Sequence, residues 1–303
     1  MVCRSVVKTF LFVFLVCAVS VSEAAEESKP LWEYGFGAGY AQYAHYPAAD
    51  QYAQLFLPFP TFQYRGEILR ADDREGGRAY LLKNEKWSLE FSGSGSLPLD
   101  SSDNRAREGM DNLPLVLEAG PQLVYSQDHD WEFKIAVFPS VVIDGAYVRQ
   151  NGGSLNLQAA YRWEKEVIGP FATPLGLSGI LTLNAKAASQ EFHKTYFEVS
   201  SKDATSTRSQ YDAVAGFLDT QATYFQRISK GRFTLYAAVS YTDYSQSVNR
   251  TSPLHRADSN FEYGVGLTYV LGESKRQSVP LENTEGLINK AIQHRKERLE
   301  QFQ

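Results

Sequence analysis

Apolar and polar residues alternate along most of the chain, and a period of two predicts extended strands. The pattern is clearest in FEYGVGLTYVLG, residues 261–272, where aromatic and aliphatic residues face one side and polar residues or glycine face the other. Residues 78–83 would pair with 86–97 as an additional hairpin, so we predict ten to twelve strands. The ten clearest stretches lie near residues 32–40, 62–68, 87–94, 115–125, 131–143, 155–163, 177–186, 212–227, 233–241 and 261–272.

The connections between these stretches alternate in length. Residues 126–130 and 228–231 are predicted to be tight turns. Long loops at one end, short turns at the other and an even number of strands are typical of outer-membrane barrels. On this arrangement both chain termini lie on the short-turn, periplasmic side. The predicted long polar loops are residues 44–54, 98–113, 144–153, 192–211 and 246–259.

A soluble β protein would also alternate, so other features must decide which face is buried. Several stretches run for ten residues or more, a length that tilted membrane strands need and soluble strands seldom reach. Aromatic residues such as Trp32, Trp87 and Trp131 lie near the ends of the apolar rows, where interfacial girdles form. The opposite faces carry charges in mid-strand, including Lys134 and Arg162. We therefore predict an all-β fold, an antiparallel transmembrane β-barrel with its apolar rows facing lipid.

The N-terminus has the layout of a secretory signal. Arg4 and Lys8 precede an apolar run that ends near residue 21, followed by a small-residue site, so we expect cleavage after Ala24. An uncleaved anchor helix is the alternative, but the run is short for a membrane span. Both cysteines, Cys3 and Cys17, lie in this segment, and the mature protein would have none.

Composition and motifs argue against several classes of function. The net charge of −5 is modest and scattered, which does not favour nucleic-acid binding. The sequence has no Gly-x-Ser-x-Gly elbow, no Walker loop and no His-Glu-x-x-His pair, and its five histidines lack metal-ligand spacing. His45 with Asp50, or His193 with Asp203, would be the pairs able to meet at the rim, and we interpret them as ordinary loop residues. We therefore expect no enzyme activity, no catalytic residues, no metal and no cofactor.

The last 31 residues, 273–303, follow the final predicted strand and contain a second kind of pattern. Apolar residues recur there at helical spacing, which predicts a short C-terminal amphipathic helix. The apolar stripe is either part of a solvated or barrel-capping helix or a partner-binding surface. The predicted partner-binding residues are Ile288, Ile292, Leu299 and Phe302.

Four blocks of sequence resemble successive blocks of the MipA/OmpV family of outer-membrane proteins. They are HYPAADQYAQLFLPFPTFQYRG at 45–66, SSDNRAREGMDNLPLVLEAGP at 101–121, YFEVSSKDATSTRSQYDAVAGF at 196–217 and SPLHRADSNFEYGVGLTYVLG at 252–272. The resemblance implies an outer-membrane β-barrel, and it implies a role like that of the best-described member, which bridges a lytic transglycosylase to a murein synthase. It supplies no catalytic residues. The 31 residues after Gly272 depart from barrels that stop at the last strand.

These observations together give a domain plan and a functional hypothesis. The plan has a signal peptide at 1–24, a barrel at 25–272 and a periplasmic tail at 273–303. The expected function is a scaffold or anchor for murein synthesis and remodelling in the outer membrane of a Gram-negative cell, surrounded by outer-membrane lipid. The alternative is a narrow channel for small solutes or antibiotics, because ten to twelve strands with charged side chains inside leave little open pore.

Overall fold

The structure is a computed structural model that describes residues 29–72, 76–128, 130–169, 174–278 and 286–300, without the side chains of 294 and 296–300. The predicted signal peptide, with Cys3 and Cys17, lies outside the described residues. Within them, no helix is long and apolar enough to cross a membrane.

Twelve antiparallel strands form a closed barrel in which each strand pairs with its sequence neighbours and the first pairs with the last. The strands are β1 Trp32–Ala44, β2 Tyr52–Arg65, β3 Leu69–Asp72, β4 Gly76–Lys83, β5 Trp87–Ser96, β6 Leu115–Ser126, β7 Trp131–Asp144, β8 Tyr147–Ile168, β9 Pro174–Ala188, β10 Gly216–Lys230, β11 Phe233–Asp243 and β12 Ser259–Glu273. The all-β barrel prediction is confirmed at the upper strand count. The additional hairpin of residues 78–83 and 86–97 is β4–β5, and β3 is too short to show a period in sequence.

The alternation seen in the sequence separates an apolar outer wall from a polar lumen. In β12, Phe261, Val265 and Leu267 are exposed on the outside of the barrel. In β7, Glu132 and Lys134 point inward and are buried, although they are charged. The apolar rows therefore face outward, as the sequence predicted.

Aromatic side chains form rings of contacts around both ends of the outer wall. At the end where the short turns lie, Trp87 packs on Tyr125 with ring centroids 4.7 Å apart, and Trp131 packs on Tyr161 at 4.9 Å. At the opposite end, Tyr40 and Tyr263 have centroids 6.3 Å apart. Rings with an apolar body and a polar tip suit membrane interfaces.

The long connections lie at one end of the barrel, here called the loop end, and the short turns lie at the other, the turn end. The hydrophobic core of the chain is at the loop end, where the long loops fold against one another as a loop cap. Helix α1, Gln190–Phe197, is part of this cap. The buried apolar residues of this core at the loop end are Tyr46, Ala48, Ala49, Leu113, Val116, Val142, Ala188, Phe192, Tyr196, Phe197, Val199, Ala213, Leu218, Tyr244 and Leu254.

Three of the predicted long loops contain regular structure, and in residues 98–113 it is a short 3₁₀ helix, Ser101–Asp103. Residues 144–153 were predicted as a loop, but β7 and β8 continue as a paired hairpin up to Asp144 and Tyr147. The reason is the two-residue turn of Gly145 and Ala146, whose first residue, Gly145, has a φ of 56°, as a type II′ hairpin turn requires. The predicted loop 192–211 begins within α1, which Ser189 caps by accepting a hydrogen bond from the Phe192 amide at 3.3 Å.

The predicted C-terminal helix is also present, as α2, Leu287–Glu300. It begins at the turn end and contacts β4. The last helix that the structure describes therefore lies beside the barrel mouth opposite the loop cap.

Candidate functional site

The barrel lumen contains a cavity of about 700 Å³ beneath the loop cap. Its wall is rich in amide, hydroxyl and charged side chains, among them Gln158, Asn184 and Thr223, and its ceiling includes Phe192 and Tyr196 of α1. A polar cavity with aromatic side chains on one side is able to hold a small polar molecule.

Charged groups in the lumen are mostly held in ion pairs. Glu118 accepts from Lys186 at 2.7 Å, and Glu132 accepts from Arg162 at 2.9 Å. These pairs offset the cost of removing charges from bulk water, because a buried charge without a partner is strongly destabilising. Asp219, only 7% exposed, lines the same cavity near the Lys186–Glu118 pair. The lumen is thus a narrow space with fixed charges of both signs.

The loop cap is held together by hydrogen bonds that join loops far apart in sequence. The Arg208 guanidinium donates to the carbonyl oxygens of Ala106 at 2.8 Å and Glu108 at 3.1 Å, which ties two loops together. Asn249 Oδ1 accepts a hydrogen bond from Val214 N at 2.9 Å, and Asn249 Nδ2 donates one to Val214 O at 2.9 Å. Because these backbone groups have partners inside the cap, the loops can stay packed over the lumen.

Further bonds attach the first long loop to the last. Tyr46 Oη donates to Leu254 O at 2.9 Å, and Asn260 Nδ2 donates to Ala49 O at 2.7 Å. Burial raises the pKa of Tyr46, and it raises that of Tyr196 to about 12 even though the Tyr196 hydroxyl bonds Ser96. Both phenols therefore remain neutral at physiological pH, which suits a packed cap.

Among the described residues, no hydrogen bond or ion pair joins either candidate catalytic pair, although the charge of Asp50 acts on His45. His193 is fully buried, and its Nε2 lies 3.1 Å from Gly216 O, while Asp203 accepts from Ser200. His45 Nδ1 lies 3.1 Å from Asn104 Nδ2, and Asp50 lies 3.8 Å from Arg105. Burial lowers the pKa of both histidines. In the structure these residues make contacts within and between loops.

The described part of the chain contains no group of three or more histidine, cysteine, aspartate or glutamate residues that could hold a metal ion.

The C-terminal helix places two of the predicted partner-binding residues on the surface. Ile288 is 41% exposed and Ile292 is 50% exposed. The Leu299 side chain is not described, and Phe302 lies outside the described residues.

Polar contacts fix α2 to the turn end. Asn289 Nδ2 donates to Lys83 O at 2.9 Å, and Lys290 forms an ion pair with Glu67. The helix thus binds the barrel through polar groups and leaves Leu287, Ile288 and Ile292 exposed.

Sequence reasoning missed α1, which supplies most of the cap's aromatic residues. A signal was present: Ser189 precedes Phe192, His193, Tyr196 and Phe197, whose spacing is that of one helical face. The helix is short and lies inside a polar stretch, so the strand pattern on either side hid it.

A sequence model of the family described as MltA-interacting protein MipA matches residues 35–271. The chain belongs to the MipA family. The match spans nearly the whole barrel, from β1 into β12, and confirms the resemblance found in the sequence. Family and fold together make the chain an outer-membrane β-barrel. A search of curated proteins found no match.

Several solved structures match this chain at low TM-scores. One described as "Bacterial polysaccharide outer membrane secretin" has a TM-score of 0.35 and 11% identity, covering 81% of this chain and 100% of its own. A NanC porin structure has a TM-score of 0.32 and 10% identity, covering 78% and 98%. OccK8 (OprE) of Pseudomonas aeruginosa has a TM-score of 0.25 and 9% identity, covering 72% and 69%. At these scores the likenesses carry no argument about function.

Proposed function

We propose that this MipA-family barrel is a non-enzymatic anchor that holds murein-processing enzymes at the periplasmic face of the outer membrane. The partners would be a lytic transglycosylase and a murein synthase. In this proposal residues 1–24 are removed on export, both termini of the mature chain are periplasmic, and residues 273–303 form a periplasmic tail.

The observation that carries the proposal is the exposed apolar surface of α2 at the turn end. Leu287, Ile288 and Ile292 are exposed there, although polar contacts hold the helix to the barrel. An exposed apolar group with a polar rim is a common protein-interaction surface. The family's description as MltA-interacting protein supports a murein enzyme as the partner.

The direct test is recovery of murein enzymes with the mature protein extracted from membranes in mild detergent. The variant carrying Ile288→Ser and Ile292→Ser should recover at least about tenfold less enzyme, because an apolar contact worth roughly 1.4 kcal/mol or more would be lost. Ala291→Ser is the matched control, since Ala291 is exposed on the same helix. Equal recovery with all three forms would refute α2 as the binding surface, and no recovery with any form would refute the anchor.

The orientation of the chain has its own test. A protease added to intact cells should leave the C-terminal tail uncut, whereas cells with a permeabilised outer membrane should lose it. Cleavage in intact cells would place the turn end outside and remove the basis for periplasmic partners.

The second candidate function is a narrow channel for small solutes or antibiotics, and the polar lumen cavity of about 700 Å³ favours it. The packed loop cap opposes it, since Phe197, Val199 and Leu254 are fully buried above the lumen. Planar-bilayer recordings distinguish the two functions, because a channel gives discrete, reproducible current steps and a closed anchor does not.

A further inference from the structure

The barrel wall is incompletely paired between β2 and β5. The β2–β3 ladder consists of two pairs, Tyr64 with Ala71 and Arg65 with Arg70. The β4–β5 ladder extends only as far as the pair of Ala79 with Phe91. Within the described residues, 52–60 of β2 and 93–96 of β5 are therefore in no ladder on the sides that face each other, and the last contact of β5 with β4 is from Ser92 Oγ to Gly77 O at 3.5 Å. We call this gap the lateral opening.

The dimensions of the lateral opening follow from strand geometry. The short β3–β4 hairpin separates β2 from β5 at the turn end, so the two rims are three strand spacings apart, roughly 14 Å. Phe56 is 69% exposed, more than Leu267 at 49% on the fully paired β12. Leu57 is 50% exposed although its side chain points inward. These exposures are expected where a neighbouring strand is missing.

Backbone groups at the β2 rim can be assigned from one hydrogen bond. Arg65 N donates to Leu31 O at 2.7 Å, so odd-numbered residues of β2 direct their backbone groups toward β1. Even-numbered residues therefore direct theirs toward the lateral opening. Pro58 and Pro60 are among them, and proline has no N–H to donate. The β2 rim thus lacks two of the donors that another strand would need.

The β5 rim is assigned in the same way. Ser126 N donates to Lys86 O at 2.8 Å, so the backbone groups of even-numbered residues of β5 face β6. Those of Gly93 and Gly95 face the β4 side, where the ladder has ended, Ser92 Oγ donates to Gly77 O at 3.5 Å and the lateral opening begins. Neither glycine has a side chain to cover these groups. A Cβ at Gly93 would lie 2.5 Å from Glu118 O, so the close approach of β5 to β6 also requires glycine there.

The lumen cavity reaches the lateral opening. Ser92, Gly93, Ser94, Gly95 and Ser96 all line that cavity, as does Gly76 of β4. The opening therefore connects a polar interior directly with the membrane around the barrel. Polar backbone groups without partners are costly in hydrocarbon, and a polar group in the cavity would be within reach of Gly93 and Gly95, which line it.

The β2 rim is apolar, whereas the β5 rim borders the polar cavity. Its outward residues include Phe56 and Phe62, and its inward residues include Leu55, Leu57 and Phe59. This part of β2 is apolar on both faces, unlike β7, whose inward face carries Glu132 and Lys134. An apolar rim on one side and a polar cavity on the other match a molecule with one apolar and one polar part.

We propose that the lateral opening admits a membrane amphiphile, whose acyl chain lies against Leu57 and Phe59 and whose polar head enters the lumen cavity. An added β-strand from another protein or a second copy would be the other occupant of such an edge. Pro58 and Pro60 disfavour it, because they remove donors from the edge that would pair.

The test uses a single cysteine and a lipid that carries the reactive group on its head. Cys3 and Cys17, the chain's two cysteines, are replaced by serine, and Ser94→Cys places a thiol on the cavity side of the β5 rim. Thr223→Cys is the matched control, because Thr223 lines the same cavity from β10. Each protein is placed in phosphatidylcholine vesicles containing a phosphatidylethanolamine with a maleimide on its head group.

The covalent lipid adduct, measured by mass spectrometry, should form at least about tenfold faster with Ser94→Cys than with Thr223→Cys. Both thiols should react equally after denaturation. Adding Phe59→Asp to Ser94→Cys should lower the rate severalfold, whereas Phe225→Asp on the far wall should not. Equal rates at residues 94 and 223 would overturn the proposal, and so would disulfide-linked dimers in place of the lipid adduct.

Discussion

Individual buried residues decide whether the loop cap stays closed, and His193 is the clearest case. It is fully buried, and burial lowers the pKa of its imidazole, with Lys186 acting in the same direction and the bond to Gly216 O against it. The folded cap therefore holds the neutral form. An opened cap would let the ring protonate near its ordinary pKa of about 6.5.

This gives a pH dependence of cap stability. A histidine whose folded pKa is lowered contributes its full stability above about pH 6.5 and loses it as the pH falls below that value, because the open state then binds the extra proton. We expect protease cleavage within residues 200–207 to be severalfold faster at pH 5 than at pH 7.5. His193→Gln, which keeps a side-chain donor for Gly216 O, should reduce this difference.

His255 can contribute to the same pH dependence, so the experiment also needs a variant of His255. Burial also lowers its pKa, and its Nε2 lies 3.3 Å from Tyr244 O within the cap. His255→Gln should remove a separate part of the pH effect, and the double variant should remove most of it. An undiminished pH dependence in the double variant would assign the effect to other groups.

At the scale of elements, α1 is a part of the loop cap that lies over the lumen. Phe192 and Tyr196 line the lumen cavity, and Phe197 is fully buried in the cap behind them. The centroid of the Phe192 ring lies 4.5 Å from Lys186 Nζ. The helix therefore contacts both the cap and the lumen wall. Its removal should open the barrel at the loop end.

The corresponding prediction concerns conductance. Replacing residues 190–213 by a short glycine-serine linker should produce discrete current steps in planar bilayers, whereas the unmodified protein should show none. Tyr147→Ser with Val148→Ser is the control, since these residues lie at the exposed tip of the β7–β8 hairpin. Current steps of equal size in the unmodified protein would contradict a closed cap and favour the channel.

The elements differ in how well the sequence predicts them. Long strands such as β7 and β12 bury one face and expose the other, so their period of two is strong. β3 has four residues and α1 has eight, which is too short for either period to stand out. The lateral opening had a signal in Pro58 and Pro60, which are two positions apart and therefore on the same strand edge. Its significance depends on pairing between strands, which no local pattern contains.

The candidate site was less predictable than the barrel. The sequence placed Ile288 and Ile292 on one apolar helical stripe, and the structure shows both exposed. It could not place the lumen cavity, whose wall combines residues from β4 to β11. Ion pairs such as Glu118 with Lys186 join residues 68 positions apart, and only the closed barrel brings them together.

At the scale of the whole molecule, the stability of the barrel depends on which face of each strand meets lipid. Leu267 is near the middle of β12, 49% exposed on the outer wall, and its neighbour Gly266 faces the lumen. A Cβ at Gly266 would meet its nearest atom, Ala38 O, at 3.6 Å, an ordinary contact. The two positions therefore allow the same substitution on opposite faces at the same depth.

Leu267→Arg should lower the free energy of unfolding in lipid vesicles by about 2–4 kcal/mol, because it places a charge in the hydrocarbon near the bilayer centre. Gly266→Arg should have a much smaller effect, because its guanidinium can reach the polar lumen. Urea titrations followed by gel migration without boiling measure both, since the folded barrel and the unfolded chain migrate differently. A larger loss for Gly266→Arg than for Leu267→Arg would mean that the apolar rows do not face lipid.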